Sequence, residues 1–503
     1  MAVVTVKSII DNQTTYQYVD DGQPKSGTAK NVFFSPDRKY VVAVFKEKQD
    51  FNQKERLKKI TSDYLNRIKK IPASSYYLDE IYRWPTDVID ANGHTGIIVP
   101  IYNSKFFFKK GYTNQDLIKG NEKNGKWFAA AKFRNRQFSL SLDQSELGKW
   151  LNYFQICVNL SRGVKQMHQM GLSHSDLSYN NVLVDPQTGS ACMIDLDGLV
   201  VPGLFPAEVL GTADFIAPEV LATKHLNKTD PNRKLPSRLT DLHALACLIY
   251  MYLLHRHPLK GGKVHDLDTE KDDLLSMGEK ALFIENETDR SNRPKLSQVS
   301  KWDQYWNDVD KLPYTITGPY LKNMFDRAFV TGLHKPNERP TADEWEQALL
   351  KTTDLMQPCS NPNCEQKWFV FNNTAAPRCP FCGTPHQGSL PILDLYFQFK
   401  PGIWKPENHR LMVYKDQYLF QWHVNRNIAR NERLSADQKV PVGYFTLHNG
   451  KWVLVNQKLT SLVDKTNNVD VPIGSMVELK NGSQLVLSKE EGGRVTVVTL
   501  VNE

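Results

Sequence analysis

The chain has little that would place it in or outside a membrane. Its longest apolar stretch, roughly residues 244–254, is about half of what a bilayer span needs and suits a buried helix. Residues 1–10 lack the long apolar run of a secretory leader. Seven cysteines in 503 residues do not make a secreted disulfide scaffold. There is no polybasic tail: the net charge of +8 is spread along the chain, which favours solubility and selects no class of partner. The expectation is a cytosolic protein without a membrane segment. Its length allows about three domains, and 40% apolar residues with ten Trp supply their cores.

The strongest pattern starts at His174 and reads H-S-D-L-S-Y-N-N, followed by a strand-like V-L-V and then I-D-L-D-G. Asp176 and Asn181 stand five residues apart, and Asp195 follows fourteen later. Phosphoryl transfer needs such a set. One carboxylate orients and deprotonates a hydroxyl, while an amide and a second carboxylate hold a divalent cation against the ATP phosphates. A bland loop of Asp and Asn turns is the competing explanation.

These residues resemble the protein-kinase catalytic loop and metal-binding Asp. Small-molecule phosphotransferases share a similar loop, but further elements favour protein kinases. G-T-A-D-F-I-A-P-E, ending at Glu219, resembles the close of an activation segment. T-D-L-H-A-L-A, from Thr240, resembles the buried helix whose Asp braces the catalytic loop. Arg339, opening R-P-T-A-D-E-W, resembles the Arg that pairs with the A-P-E Glu. The resemblance implies a bilobal α+β kinase domain over residues 1–352, divided near residue 100, with catalytic Asp176, Asn181, Asp195 and Lys46. It implies ATP with Mg²⁺ or Mn²⁺, the metal on Asn181 and Asp195, and a protein substrate. Thr212 resembles the Thr that contacts the catalytic Asp in Ser/Thr kinases. Ser178 stands where those kinases carry Lys, and Ser175 where many carry the Arg that receives an activating phosphate. The segment from Asp195 to Glu219 is mostly apolar with Thr212 as its one hydroxyl, so activation without phosphorylation is expected. A pseudokinase scaffold and a small-molecule kinase stay open as alternatives.

In the first hundred residues, V-V-A-V-F from Val41 is an alternating strand ending in Lys46, like the strand whose Lys holds the α/β-phosphates. Glu55, nine residues later on a helical pattern, is its expected partner. Gly22 and Gly27 flank Q-P-K-S where kinases show a glycine-rich loop. One glycine is missing and Pro24 intrudes, so a phosphate-covering hairpin and an ordinary turn both fit. Val99 and Ile101 fall at the expected hinge for adenine, and Leu183 follows the catalytic loop as a nucleotide contact. Basic-aromatic stretches at 105–112 and 132–136 read as a solvated face rather than a nucleic-acid site.

Cys359 and Cys364, then Cys379 and Cys382, give C-x4-C, a fourteen-residue spacer and C-x2-C. The knuckles P-C-S-N-P-N-C and R-C-P-F-C-G suit a structural zinc ribbon at 353–387 with four sulfur ligands at about 2.3 Å. Two disulfides compete, disfavoured in a reducing cytosol, and His386 is an alternative ligand. Cys157, Cys192 and Cys247 read as core.

After a link at 388–391, seven or so short alternating strands, with Asn-Gly turns at 449–450 and 481–482, predict a β-sandwich over 388–503. Its strand and turn order resembles forkhead-associated domains. Their phosphothreonine-binding Gly-Arg and Ser-x-x-His are not found, so a docking role is expected. Kinase, ribbon and sandwich together resemble a bacterial eukaryotic-type Ser/Thr kinase, most like that of the tellurite-resistance-associated triad. That likeness implies a von Willebrand A-type protein and a metal-dependent phosphatase as partners.

Overall fold

A computed structural model describes the chain except Met1, Thr28, Asn114, residues 131–140, Pro401 and Glu503. The basic stretch at 132–136 therefore lies outside the described residues. The chain divides into two compact units: Met1–Gly148 with Asn152–Asp310 and Met324–Glu346, and Lys149–Leu151 with Lys311–Asn323 and Gln347–Glu503. The ribbon and the sandwich, expected as separate modules, fall in one unit.

The first unit opens with a seven-stranded antiparallel sheet in the order β2-β1-β6-β7-β5-β4-β3. Its strands are β1 (Ala2–Ser8), β2 (Thr15–Asp20), β3 (Lys25–Ser26), β4 (Lys30–Phe34), β5 (Tyr40–Phe45), β6 (Asp87–Ala91) and β7 (His94–Pro100). Side chains alternate faces along a strand, and β5 sorts accordingly. Val42 and Val44 join Val6, Tyr18, Ile89 and Ile98 on one face. Ala43 and Phe45 join Val32, Val88 and Ile97 on the other. Leu57 of α1 (Phe51–Lys59) covers that second face. Asp50 starts α1 with a capping box: it accepts the Gln53 N–H, and the Gln53 side chain accepts the Asp50 N–H.

The rest of this unit is mainly helical. α2 (Trp150–Gln169) leads to the loop that carries Asp176, which is followed by the hairpin of β8 (Val182–Asp185) and β9 (Ser190–Met193). Beyond α3 (Pro218–Ala222), α4 (Arg238–Leu254) starts at a Ser237–Thr240 capping box and is buried from Thr240 to Leu254. It contains the long apolar stretch, as its composition requires. Cys157, Cys192 and Cys247 are buried thiols.

Arg339 precedes α5 (Ala342–Asp354) and grips Glu219 with both guanidinium arms, at 2.8 and 2.7 Å. Arg339 is 3% exposed and also donates to the carbonyls of Gly332, Leu239 and Leu333. Glu219→Ala strands this buried cation, and the expected loss is about 3 kcal/mol, read as a shift in urea midpoint with unchanged slope. A parent-like midpoint would show the pair to be dispensable.

In the second unit, β10 (Met356–Pro358) and β11 (Trp368–Val370) form a short hairpin. Two further sheets follow, in the region where the sequence predicts a sandwich. One has six strands, ordered β13-β12-β21-β20-β17-β18, and the other has four, β14-β15-β16-β19. The first comprises β12 (Leu390–Lys400), β13 (Ile403–Met412), β17 (Val463–Asp464), β18 (Val469–Asp470), β20 (Gln484–Val486) and β21 (Arg494–Val501). The second comprises β14 (Tyr418–Leu419), β15 (Gly443–His448), β16 (Lys451–Asn456) and β19 (Met476–Glu478). Leu393, Leu411, Phe445, Leu454, Leu485 and Val498 pack between them.

Three expectations change here. β12 begins at Leu390, so the link is shorter than 388–391. The strand expected at 418–424 stops at Leu419 and turns into α6 (Gln421–Val424), because His423 Nδ1 accepts the Phe420 N–H and draws the chain into a turn. Asn449 and Gly450, both at positive φ, close the β15–β16 hairpin as expected. The Asn481-Gly482 turn instead carries the chain from one sheet to the other. Asp354, at the end of α5, accepts from His409 Nε2 at 2.7 Å and lies 3.5 Å from His423 Nε2. Burial opposes ionisation of this carboxyl, but the two histidines outweigh it and hold it well below the carboxylate range.

Candidate active site

Asp241 of α4 fixes the loop around Asp176 from below. Its oxygens accept the His174 and Ser175 N–H groups at 2.8 and 3.2 Å, and His168 Nε2 donates to it at 3.0 Å. Ser175 is held at φ 65°, a strained conformation that these bonds over-determine. His174 Nε2 ties the loop to the Ile194 carbonyl, next to Asp195.

Asp176 is oriented through both carboxylate oxygens. Oδ1 accepts the Thr212 N–H at 2.7 Å and its hydroxyl at 2.8 Å. Asn181 Nδ2 donates to Oδ2 at 3.0 Å and to the Asp176 carbonyl at 2.8 Å. With its amide nitrogen so engaged, Asn181 presents its side-chain carbonyl oxygen, an acceptor whose lone pairs can ligate a cation. Ser178 Oγ lies 3.1 Å from Thr212 Oγ1. Gly211 allows this approach: it sits at φ +108°, and a Cβ there would meet Ser175 O at 3.2 Å.

Asp195 adopts φ 61° and is half exposed, with Lys30 Nζ at 2.7 Å from Oδ1. Lys30 also contacts both oxygens of Asp197, at 2.7 and 2.8 Å. Burial alone would lower the Lys30 pKa, but the two carboxylates raise it above its ordinary value. Burial likewise opposes ionisation of Asp195, yet Lys30 holds its carboxyl below the usual range. Asp197 is the more deeply buried, and burial raises it against the pull of Lys30.

The sequence reading placed Lys46 here, and the structure does not. Lys46 follows β5 on the parity of Val42 and Val44, away from the cleft. Its Nζ donates to Gly27 O at 2.6 Å and the side chain is exposed. Glu55 does not meet Lys46 either: it pairs with Lys58 one turn along α1, at 2.9 Å. Lys30 was legible in one respect. A cleft-facing cation must share the parity of Ala43, and Lys30 lies in register with Phe45 on that face.

A cleft of about 250 Å³ runs beneath β3–β4 and is lined by Gly27, Val32, Val41, Ile101 and Tyr102. Gly27 turns the β3–β4 hairpin over it, whereas Gly22 belongs to the connection from β2 to β3 and takes no part. Val99 pairs with Val41 in the sheet. The Ile101 N–H is spent on Lys39 O at 3.0 Å, which removes it as a donor to a ligand. Leu183 is fully buried in a cluster with Phe106 and Cys192, against which Tyr102 packs. Arg56 of α1, missed in the sequence, reaches the segment between Asp195 and Glu219. It donates to Pro206 O at 2.6 Å, pairs with Glu208 at 3.0 Å and lies over the Phe205 ring.

In the second unit, the sulfurs of Cys359, Cys364, Cys379 and Cys382 all lie within 4.8 Å of one another. Cys359–Cys382 and Cys364–Cys379 stand at 3.5 and 3.9 Å. A tetrahedron with metal–sulfur bonds of about 2.3 Å has edges near 3.8 Å, so the cluster fits one zinc-sized ion. These distances are too long for disulfides, and the cluster is complete without His386. Lys367 and Gly383, both at positive φ, turn the two knuckles: Cys359 N–H donates to Lys367 O and Gly383 N–H to Cys379 O. Burial opposes ionisation of the Cys382 thiol, but hydrogen bonds centred on Thr384 bring it down to about 6. Burial pushes Cys359 up to about 11.

Residues 134–349 match the protein kinase domain family. The chain is 27% identical over 168 residues to the serine/threonine-protein kinase ppk21 of Schizosaccharomyces pombe, covering 28% of this chain and 29% of that one. It is 29% identical over 113 residues to the serine/threonine-protein kinase RAD53 of Saccharomyces cerevisiae, covering 21% and 14%. The chain thus spans less than a third of the length of these relatives. The seven-stranded sheet with Lys30 lies outside the family match.

Proposed function

From a protein kinase domain in this chain, we propose an ATP-dependent kinase that phosphorylates Ser or Thr of a protein, itself included. The carrying observation is Asp176, half-buried on a braced loop and oriented by Thr212 and Asn181. Asp176 orients the acceptor hydroxyl and takes its proton as the oxygen bonds to the γ-phosphorus. The bond from that phosphorus to the β-phosphate oxygen breaks, and ADP leaves. The Asn181 carbonyl oxygen and the Asp195 carboxylate are hard donors that suit Mg²⁺, which neutralises phosphate charge when bound. Thr212, committed to Asp176, favours Ser/Thr over Tyr as acceptor. Lys30 supplies a cation next to Asp195, which weighs against a pseudokinase. The Glu219–Arg339 pair weighs against a small-molecule kinase.

In this reading the four cysteines hold a structural Zn²⁺ and the forkhead-associated-like sandwich docks partners. A bacterial cytosolic setting follows, with a von Willebrand A-type protein and a metal-dependent phosphatase as partners. Among the described residues no helix is long and apolar enough to cross a membrane. Purified protein with Mg²⁺ and radiolabelled ATP is expected to yield phosphoserine or phosphothreonine; label only on Tyr, or none, would overturn the proposal.

Activity is also expected without phosphorylation of the activation segment. Glu208 already gives Arg56 the anion that a phosphate would otherwise provide. Phosphatase-treated protein should retain its full initial rate, and a rate that depends on phospho-Thr212 would sink this expectation.

A further inference from the structure

Lys30 has no counterpart in the expected ion pair between a β5 lysine and a helix glutamate. We propose that Lys30 is the cation that holds the α- and β-phosphates of the nucleotide, anchored by Asp197 rather than by a carboxylate of α1. This rests on the kinase reading of the same site.

Three observations carry it. Lys30 opens β4 in register with Phe45, so its stem points to the cleft face of the sheet, and Nζ lies 5.4 Å from the Phe45 ring centroid. Its ammonium touches both oxygens of Asp197 and one of Asp195, and the Lys30 side chain is 17% exposed. The residues otherwise expected in these roles are engaged elsewhere, Lys46 with Gly27 O and Glu55 with Lys58.

The chemistry follows from the asymmetry of the two carboxylates. Asp197 is 9% exposed and grips Nζ through both oxygens, so it stays with Lys30 when ligand enters. Asp195 is half exposed and shares one oxygen. Lys30 can exchange that oxygen for a phosphate oxygen and release Asp195 from its charge pair. Among the described residues, the ammonium is positioned by the sheet and by the I-D-L-D-G turn. α1 need not swing to complete the site, and its inward-facing Arg56 is free to hold the activation segment.

The test is titration of fluorescent mant-ADP with Mg²⁺ into the full chain, alongside the labelling rate. Lys30→Met is expected to weaken mant-ADP by about ten- to a hundred-fold, the range for one charge-assisted contact, and to lower labelling. Lys46→Met and Glu55→Gln should bind within about two-fold of the parent on the same scale. If Lys30→Met leaves Asp197 unpaired and unfolds the chain, Lys30→Met combined with Asp197→Asn removes both charges. That double variant should melt as a folded protein and still bind weakly. Parent-like binding by a folded Lys30 variant, or selective loss in Lys46→Met, overturns the proposal. If the parent binds mant-ADP and loses it with Lys30 but never transfers phosphate, the kinase reading fails and the Lys30 assignment stands. If Asp176→Ala abolishes transfer while Lys30→Met binds and transfers normally, the reverse holds. A parent that binds no mant-ADP overturns both.

Discussion

Asp176→Ala is expected to lower phosphate transfer by about 10²–10⁴-fold, the usual worth of a positioned general base. The loss should fall on turnover and leave mant-ADP affinity close to the parent's, because Asp176 bonds Thr212 and Asn181 rather than Lys30. Truncation leaves the Thr212 N–H and the Asn181 amide without their carboxylate partner. Both are only partly buried, so water can replace it and the fold should survive. The loop itself hangs on Asp241, which the variant does not touch. An unchanged melting temperature with collapsed labelling is therefore the diagnostic pair. Asp195→Ala should also abolish labelling, by removing a metal ligand and one partner of Lys30. If both variants label as well as the parent, the site is misassigned.

The second large effect concerns the four cysteines. Elemental analysis should find about one zinc per chain, and Cys379→Ser should lose it. Zinc-coupled folding is worth roughly 10–16 kcal/mol in small fingers. The knuckles have little else: β10 and β11 pair over three residues each. Cys364 and Cys379 are buried with their sulfurs 3.9 Å apart, so losing a ligand leaves the knuckles with a gap where the shared ion would join them. Limited proteolysis should cut the variant between residues 359 and 386 while the sandwich core remains intact. A zinc-free preparation that resists protease there would refute the assignment.

The parts legible in the sequence are those whose physics is local. The catalytic loop, the Thr212 turn and the cysteine knuckles each occupy a few consecutive residues, and their spacing dictates their geometry. The apolar run in α4 and the capping of α1 are local as well. Lys46 closes an apolar run, but the parity of that run sets it on the face of Val42 and Val44. Ala43 and Lys46 are three residues apart and so face opposite sides. The Lys30–Asp197 contact joins residues 167 apart in sequence, which no local pattern encodes. Glu55 failed for a related reason: helix geometry offered it Lys58 at i+3. The Asn481-Gly482 sequence predicts a hairpin, but β19 and β20 lie in different sheets: the dipeptide encodes a turn and not which strands it joins.

The hairpin of β1 and β2, which the sequence reading passed over, changes which strand is the rim of the first sheet. β1 takes the open side of β6 through Lys7–Asp90 and Ser8–Ile89. Ser8 and Tyr16 both bond Asp87, and Val6 and Tyr18 seal the apolar face above. A chain trimmed at residue 21 would keep every residue assigned to chemistry and yet present β6 as an unsatisfied backbone ladder beside a bared apolar patch. Such an edge is a template for strand addition between molecules, and the first twenty residues cover it.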